Sequence, residues 1–146
     1  MKSDFELRIN ALAIEHYQKY HRSVQELKSR GMAFFNGCEN RASRLLEDFK
    51  GIGKKGVVLV INSIDTLVHE SGALVHYHHV VVDENRLVYD PNYTSAIPIP
   101  IDAYIQSAYH LPTNILIWRK GDTSNPIGKY DEKRGKLHIN LPDFYG

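Results

Sequence analysis

The longest regular pattern in the chain is an apolar repeat with spacings of three and four residues near the amino terminus. Such spacing puts the apolar side chains on one face of a helix. Ser3 and Glu6 form a capping-box pattern before the repeat, and Gly31 is a typical stop after it. The pattern therefore predicts a long amphipathic helix whose buried face contains Phe5, Ile9, Leu12, Ala13, Tyr17, Tyr20, Val24 and Leu27.

A second helical pattern follows shortly afterwards. Asn36 is a suitable N-cap, with Glu39 three residues later, and apolar residues recur at core spacing from Ala42 to Phe49. The chain's one cysteine, Cys38, then lies in the first turn of this helix.

The remaining apolar runs are short and rich in β-branched residues, which is typical of strands. A proline-rich loop and a short helix from Asp102 to Tyr109 precede the last clear strand, and Ser63 to Gly72 has no clear pattern. A small hairpin is expected around Lys136 to Leu141. We expect an α+β fold in which N-terminal helices pack on an antiparallel sheet of about four strands: Val57 to Ile61, Leu74 to Val82, Arg86 to Tyr89 and Asn114 to Arg119.

Length and composition narrow the class of protein. A chain of 146 residues with 42% hydrophobic and 24% charged residues is expected to form a single domain, because no linker composition divides it. The net charge of +1 gives no field to attract nucleic acid or an anionic membrane, so neither partner is expected. No cofactor or metal is needed. One cysteine excludes an internal disulfide, and together with the lack of a signal-peptide pattern it predicts a reducing, cytoplasmic site of action.

The two central strands carry a histidine and an aspartate that can meet. A two-residue turn at Glu84 and Asn85 places His79 directly opposite Asp90, where the carboxylate can fix the imidazole tautomer. A three-residue turn would bring Asp90 to His78 instead. The choice between the two histidines therefore depends on the strand register.

Cys38 supplies a candidate nucleophile for this pair. The dipole and unpaired N–H groups of a helix amino terminus favour a thiolate, and the same groups can bind an oxyanion. A thiolate beside an imidazole is the arrangement that cysteine-dependent acyl transfer needs.

The segments FNGCENRA, HHVVV and RLVYDP, in that order, resemble the papain-like cysteine fold, and are most similar to papain-fold toxin domains of bacterial polymorphic toxin systems. The resemblance covers residues 34–118 of a single papain-like domain and leaves residues 120–146 as a C-terminal extension. It implies that Cys38 is the nucleophile, His79 the general base and acid, and Asp90 the group that orients the histidine. His78 is the alternative base.

The implied activity is hydrolysis or transfer at amide bonds of a protein or peptide substrate, as in a glutamine deamidase, protease or transglutaminase. A cognate immunity protein and delivery into the cytoplasm as part of a secreted toxin are further implications. Larger papain-like enzymes place an oxyanion-hole glutamine about six residues before the cysteine, where this chain has Met32. Asn36 is the nearest amide side chain and the candidate second oxyanion donor.

Two other interpretations compete with catalysis. A lone cysteine is commonly a small buried apolar residue, which would make the chain a catalytically inert interaction or immunity-type module. His76 and His78 also alternate onto one strand face, where Glu70 or Asp65 could complete a metal site, although His-x-His spacing is a weak signal.

Overall fold

The computed structural model describes residues 2–33 and 37–141, and its α+β class is the predicted one. The described residues contain three helices: α1 (Asp4–Ser29), α2 (Cys38–Ile52) and α3 (Ile101–Ala108). They also contain eight strands: β1 (Gly56–His69), β2 (Leu74–Asp83), β3 (Leu87–Tyr89), β4 (Ile99–Pro100), β5 (Tyr109–His110), β6 (Ile115–Arg119), β7 (Gly128–Asp131) and β8 (Lys136–Ile139).

All strands pair in antiparallel fashion in one sheet with the order β4-β3-β2-β1-β6-β7-β8, and β5 pairs with the end of β1. The prediction of about four strands was wrong. Strands β4 and β5 have only two residues each, which is too short for a hydrophobic period. The β7–β8 hairpin corresponds to the small hairpin expected around Lys136 to Leu141, although β7 itself lies in a largely polar segment and was not predicted. Strand β1 also continues to His69, through an irregularity in its pairing with β2 between Asn62 and Leu67.

The sheet has a different helical partner on each face. Val58, Val81 and Tyr89 pack with residues of α1 and α2 on one face. Val80, Val82 and Val88 pack on the opposite face with α3. Because side chains alternate along a strand, neighbouring residues of β2 point towards different helices.

The helix boundaries follow from local capping. The Ser3 hydroxyl accepts a hydrogen bond from the Glu6 N–H at 3.2 Å, as the capping box predicts. Helix α2 begins differently, because its N-cap is Gly37, and the predicted cap Asn36 lies outside the described residues. Within the described part of the chain, none of the helices has the length and apolar character that crossing a bilayer requires.

The turn between β2 and β3 sets the register of the hairpin. Val81 pairs with Tyr89, so the loop contains three residues instead of the two that we predicted. A type I turn followed by one left-handed residue is the usual form of such a loop, and Arg86 takes the left-handed position with φ of 63°. Glycine normally marks that position, so the sequence carried no signal for it.

A buried ion pair holds this turn in place. Asp83 accepts the N–H groups of Asn85 at 2.8 Å and Leu87 at 3.0 Å through Oδ1, and the Tyr89 hydroxyl donates to Oδ2 at 2.8 Å. The Lys54 ammonium lies 3.3 Å from Oδ2 and is 1% exposed. Every contact acts on the loop or the strand beside it, so Asp83 and Lys54 fix the register from which the site is built.

Candidate active site

Cys38 is the first residue of α2 and lies beside the sheet. It is 9% exposed, and the Arg41 guanidinium packs over the preceding glycine so closely that a Cβ on Gly37 would meet its Cζ at 3.2 Å. Glycine at the N-cap therefore gives room for a cation one turn into the helix. Both this cation and the helix dipole favour a negative charge at Cys38.

Two adjacent histidines of β2 act on the thiol. Its Sγ is 3.8 Å from Nδ1 of His79, which is within reach of a sulfur hydrogen bond. Burial acts to raise the pKa of Cys38, but hydrogen bonds and charge interactions with His78 and His79 outweigh it and lower the pKa to about 6. Cys38 can therefore be a thiolate near neutral pH.

Asp90 contacts His78. The predicted contact between Asp90 and His79 was therefore wrong. With a three-residue loop, Val88 and Asp90 face α3, the same face as His78, whereas His79 faces α2. Asp90 Oδ1 is 2.8 Å from Nε2 of His78. Val81 pairs with Tyr89, so Asp90 comes opposite Val80. Its contact with His78, two residues further along β2, is therefore diagonal across the hairpin.

The carboxylate and the imidazole fix each other's charge. Burial acts to lower the pKa of His78, but the Asp90 carboxylate beside it raises the pKa to about 9. In return the His78 cation, together with hydrogen bonds from His69 and His78, holds the pKa of Asp90 well below its usual range despite complete burial. Nε2 of His78 is directed at Asp90, so Nδ1 is the ring nitrogen through which His78 can act on the thiol.

The structure adds three groups around Asp90 that we did not predict. His69 Nε2 lies 3.0 Å and the Tyr104 hydroxyl 2.6 Å from Oδ2, while the Tyr17 hydroxyl donates to the Asp90 carbonyl at 2.9 Å. Tyr17 was assigned only to the core, and His69 fell in the segment without a clear pattern. The one signal for a strand there is the short run from Leu67 to His69, which Ser71 and Gly72 follow as turn residues.

Among the described residues, Asp90, His69 and His78 form the group that could hold a metal ion. The candidate ligand atoms of His69, His78 and Asp90 lie within 4.8 Å of one another. However, the Ser71 N–H donates to Nδ1 of His69 at 3.1 Å, which requires the lone pair there and the proton on Nε2, the nitrogen that would have to bind the metal. The arrangement fits a hydrogen-bonded network better than a metal site.

The metal site considered around His76 lacks its carboxylates. Asp65 accepts hydrogen bonds from Thr113 at 2.6 Å and Asn114 at 2.8 Å, and Glu70 accepts the N–H of Thr94 at 2.7 Å. Both acidic groups thus serve to fix loops. The His78 ring, which was to be the second ligand, is directed at Asp90.

Two cavities lie next to residues that neighbour Cys38 along the chain or His79 across the sheet. One of about 410 Å³ lies between α1 and the start of α2, next to Gly37, and is lined by Lys19, Arg41 and Arg44 among others. The other, of about 270 Å³, is lined by Val60 and Trp118, which pair with each other. Val60 also pairs with His79, so the three side chains form a row across three strands on one face.

No protein-family model matches this chain, and neither the curated proteins nor the solved structures contain a match to it.

Proposed function

We propose that this protein is a cysteine-dependent acyl-transfer enzyme with a papain-like arrangement, in which Cys38 is the nucleophile, His78 the general base and acid, and Asp90 the group that orients His78. The observation that carries the proposal is the 2.8 Å contact between Asp90 and His78, because it engages Nε2 and makes Nδ1 the ring nitrogen that can serve Cys38, whose pKa His78 lowers. His79, the base implied by the resemblance, remains a contact of the sulfur through Nδ1 at 3.8 Å.

The reaction begins with a Cys38 thiolate beside a protonated His78. The thiolate attacks the amide carbon of the substrate, His78 gives its Nδ1 proton to the leaving nitrogen, and the C–N bond breaks to leave a thioester. Neutral His78 then takes a proton from water, which attacks the thioester carbon and releases the acid and the thiolate. Backbone N–H groups at the start of α2 are suited to bind the oxyanion. Asn36, the predicted second donor, lies outside the described residues.

The two pKa values define a pH window for this ion pair. The pKa of Cys38 is lowered to about 6, so the thiolate is lost as the pH falls through that value. The pKa of His78 is raised to about 9, so the proton needed by the leaving group is lost as the pH rises through that value. Activity should form a bell between them.

The substrate that we propose is an amide of a protein or peptide, either a glutamine side chain or a peptide bond. One cavity lies next to Gly37 at the start of α2 and the other lies along the row of side chains that contains His79, and we propose that these cavities take the residues that flank the reacting amide. The reducing cytoplasm is the compartment that keeps a lone thiolate functional. A cognate immunity protein is the further partner that we propose, on the basis of the resemblance to toxin domains.

Expression in a bacterial host tests the proposal without knowledge of the substrate. Wild type is compared with Cys38→Ser, which keeps the size of the side chain but removes the thiolate, and host proteins are analysed by mass spectrometry. We expect cuts, crosslinks or one-dalton glutamine-to-glutamate shifts with the wild type alone. Identical growth and proteomes for the two proteins, or equal toxicity of the variant, would count against thioester chemistry.

Burial of the thiol favours one other candidate, a papain-like interaction or immunity-type module with an inert cysteine. Cys38 is 9% exposed and His78 is fully buried, so a substrate carbonyl must approach through a narrow opening. Alkylation of intact protein separates the two functions, because an inert thiol reacts with an ordinary pKa of about 9. A pH midpoint of alkylation near 6 supports the enzymatic function.

A further inference from the structure

His69 is a second histidine bound to the same carboxylate as His78. It lies at the end of β1, is fully buried, and its Nε2 is 3.0 Å from Oδ2 of Asp90. The two imidazole rings meet edge to face with centroids 5.3 Å apart. Asp90 therefore lies between two histidines, each directed at a different oxygen.

The local chain fixes the tautomer of His69. The Ser71 N–H donates to Nδ1 at 3.1 Å, and the Ser71 hydroxyl lies 2.8 Å from the same nitrogen. A backbone N–H can only donate, so Nδ1 must carry a lone pair and the proton must be on Nε2. The turn that presents this N–H is closed by a hydrogen bond from Gly72 to the His69 carbonyl at 2.8 Å, with Gly72 in the left-handed region. His69 thus offers Asp90 a fixed neutral donor.

Four donors from the described part of the chain hold the Asp90 carboxylate. Oδ1 is contacted by His78 at 2.8 Å and by the Asn92 N–H at 3.0 Å, and Oδ2 by His69 at 3.0 Å and the Tyr104 hydroxyl at 2.6 Å. Because each oxygen has two donors, the carboxylate cannot rotate about its Cβ–Cγ bond without breaking several hydrogen bonds. A buried carboxylate with full hydrogen bonding also stays ionised.

We propose that His69 is a positioning residue, a permanently Nε2-protonated second histidine that fixes the Asp90 carboxylate so that Asp90 keeps His78 directed at Cys38. The inference rests on the proposed function, since it assigns His69 a role within that site. His69 acts through Asp90 and is distinct from the groups that touch the thiol. In this arrangement His78 exchanges protons with the reacting atoms while His69 keeps its own.

The pH dependence of Cys38 reactivity tests this role on the full chain. A chromogenic aromatic disulfide is reacted with the wild type, His69→Leu, His69→Gln and a control, His138→Leu, which makes the same change at an exposed position. We expect His69→Leu to raise the pH midpoint by about 0.5 to 1 unit, because Asp90 loses a donor and holds the His78 cation less well. His69→Gln keeps an N–H donor and should restore at least half of the shift.

Two outcomes would overturn the role of His69: a folded His69→Leu protein with the wild-type midpoint, or a His69→Gln protein shifted as far as His69→Leu. If His69→Leu does not fold, the ¹⁵N shifts of the His69 ring in wild type decide, since the proposal requires the neutral Nε2-H tautomer at neutral pH. A wild-type midpoint near the ordinary thiol value would instead refute the proposed function. The two failures are therefore distinguishable.

Discussion

Replacement of the two adjacent histidines of β2 one at a time shows which of them activates Cys38. His78 is held by Asp90, whereas His79 is bound to the thiol without that carboxylate. We therefore expect His78→Ala to remove most of the stabilisation of the thiolate and His79→Ala to remove less. His76→Ala is the matched control, because His76 is an exposed histidine of the same strand.

The size of the effect follows from the pKa of the thiol. Lowering from the ordinary 9.0 to about 6 corresponds to about 4 kcal/mol of preference for the thiolate, at 1.36 kcal/mol per unit. Without His78, burial acts against the thiolate, so the pKa should return to 9 or above. At pH 7 the thiolate fraction would then fall from about 90% to about 1%.

The rate at a single pH would conceal most of this change. A thiolate of higher pKa is intrinsically more nucleophilic, and a Brønsted coefficient of about 0.45 gives a gain of about 20-fold over three units. The net loss of rate at pH 7 is then only about fivefold. The assay must therefore follow the pH midpoint of the reaction with an aromatic disulfide.

We expect the midpoint to rise by about three units in His78→Ala and by about one unit or less in His79→Ala. It should not move in His76→Ala. A shift in His79→Ala that equals or exceeds the shift in His78→Ala would refute the reasoning, because it would show that contact with the sulfur matters more than support from Asp90.

Two further predictions concern the groups that hold the site together. Lys54→Met should lower the free energy of unfolding in urea by about 3 to 5 kcal/mol, because it leaves the Asp83 carboxylate buried without its cation. The control Lys55→Met, at an exposed neighbour, should change the free energy of unfolding by less than about 0.5 kcal/mol. Equal effects of the two substitutions would contradict the role of the buried pair. Tyr17→Phe removes hydrogen bonds to the carbonyls of Asp90 and Ser95 and should cost about 1 to 3 kcal/mol in the same urea titration, and an unchanged midpoint would show that this loop is held by other contacts.

Local patterns in the sequence were sufficient to predict the elements in which a hydrophobic repeat extends over many residues. The first helix, its Ser3 cap and strand β2 appear as predicted, because each is specified by residues within a few positions of one another. Phe5, which we placed on the buried face of the helix, is instead 71% exposed. The α+β class followed from these elements. Cys38 at the start of a helix followed from the same local reasoning.

The arrangement around Asp90 depends on non-local geometry. The left-handed Arg86 carries no glycine signal, yet it adds one residue to the turn and moves Asp90 from the face of His79 to that of His78. His69 reaches Asp90 only because β1 continues past an irregularity in its pairing. Neither feature is encoded in a local repeat, so the sequence indicated the residue types of the site but not which of them meet.

The buried ion pair at the β2–β3 turn makes the evolution of the site depend on residues that do not contact Cys38, His78 or Asp90. Asp83 and Lys54 maintain a loop of three residues, and one codon inserted or deleted there would move Asp90 to the opposite face of the sheet. Natural selection for the chemistry would then preserve the length of this turn as strictly as the identity of Cys38. We expect proteins in which this turn has a different length to have lost the contact between the histidine and the aspartate, even where the equivalents of Cys38, His78 and Asp90 are all present.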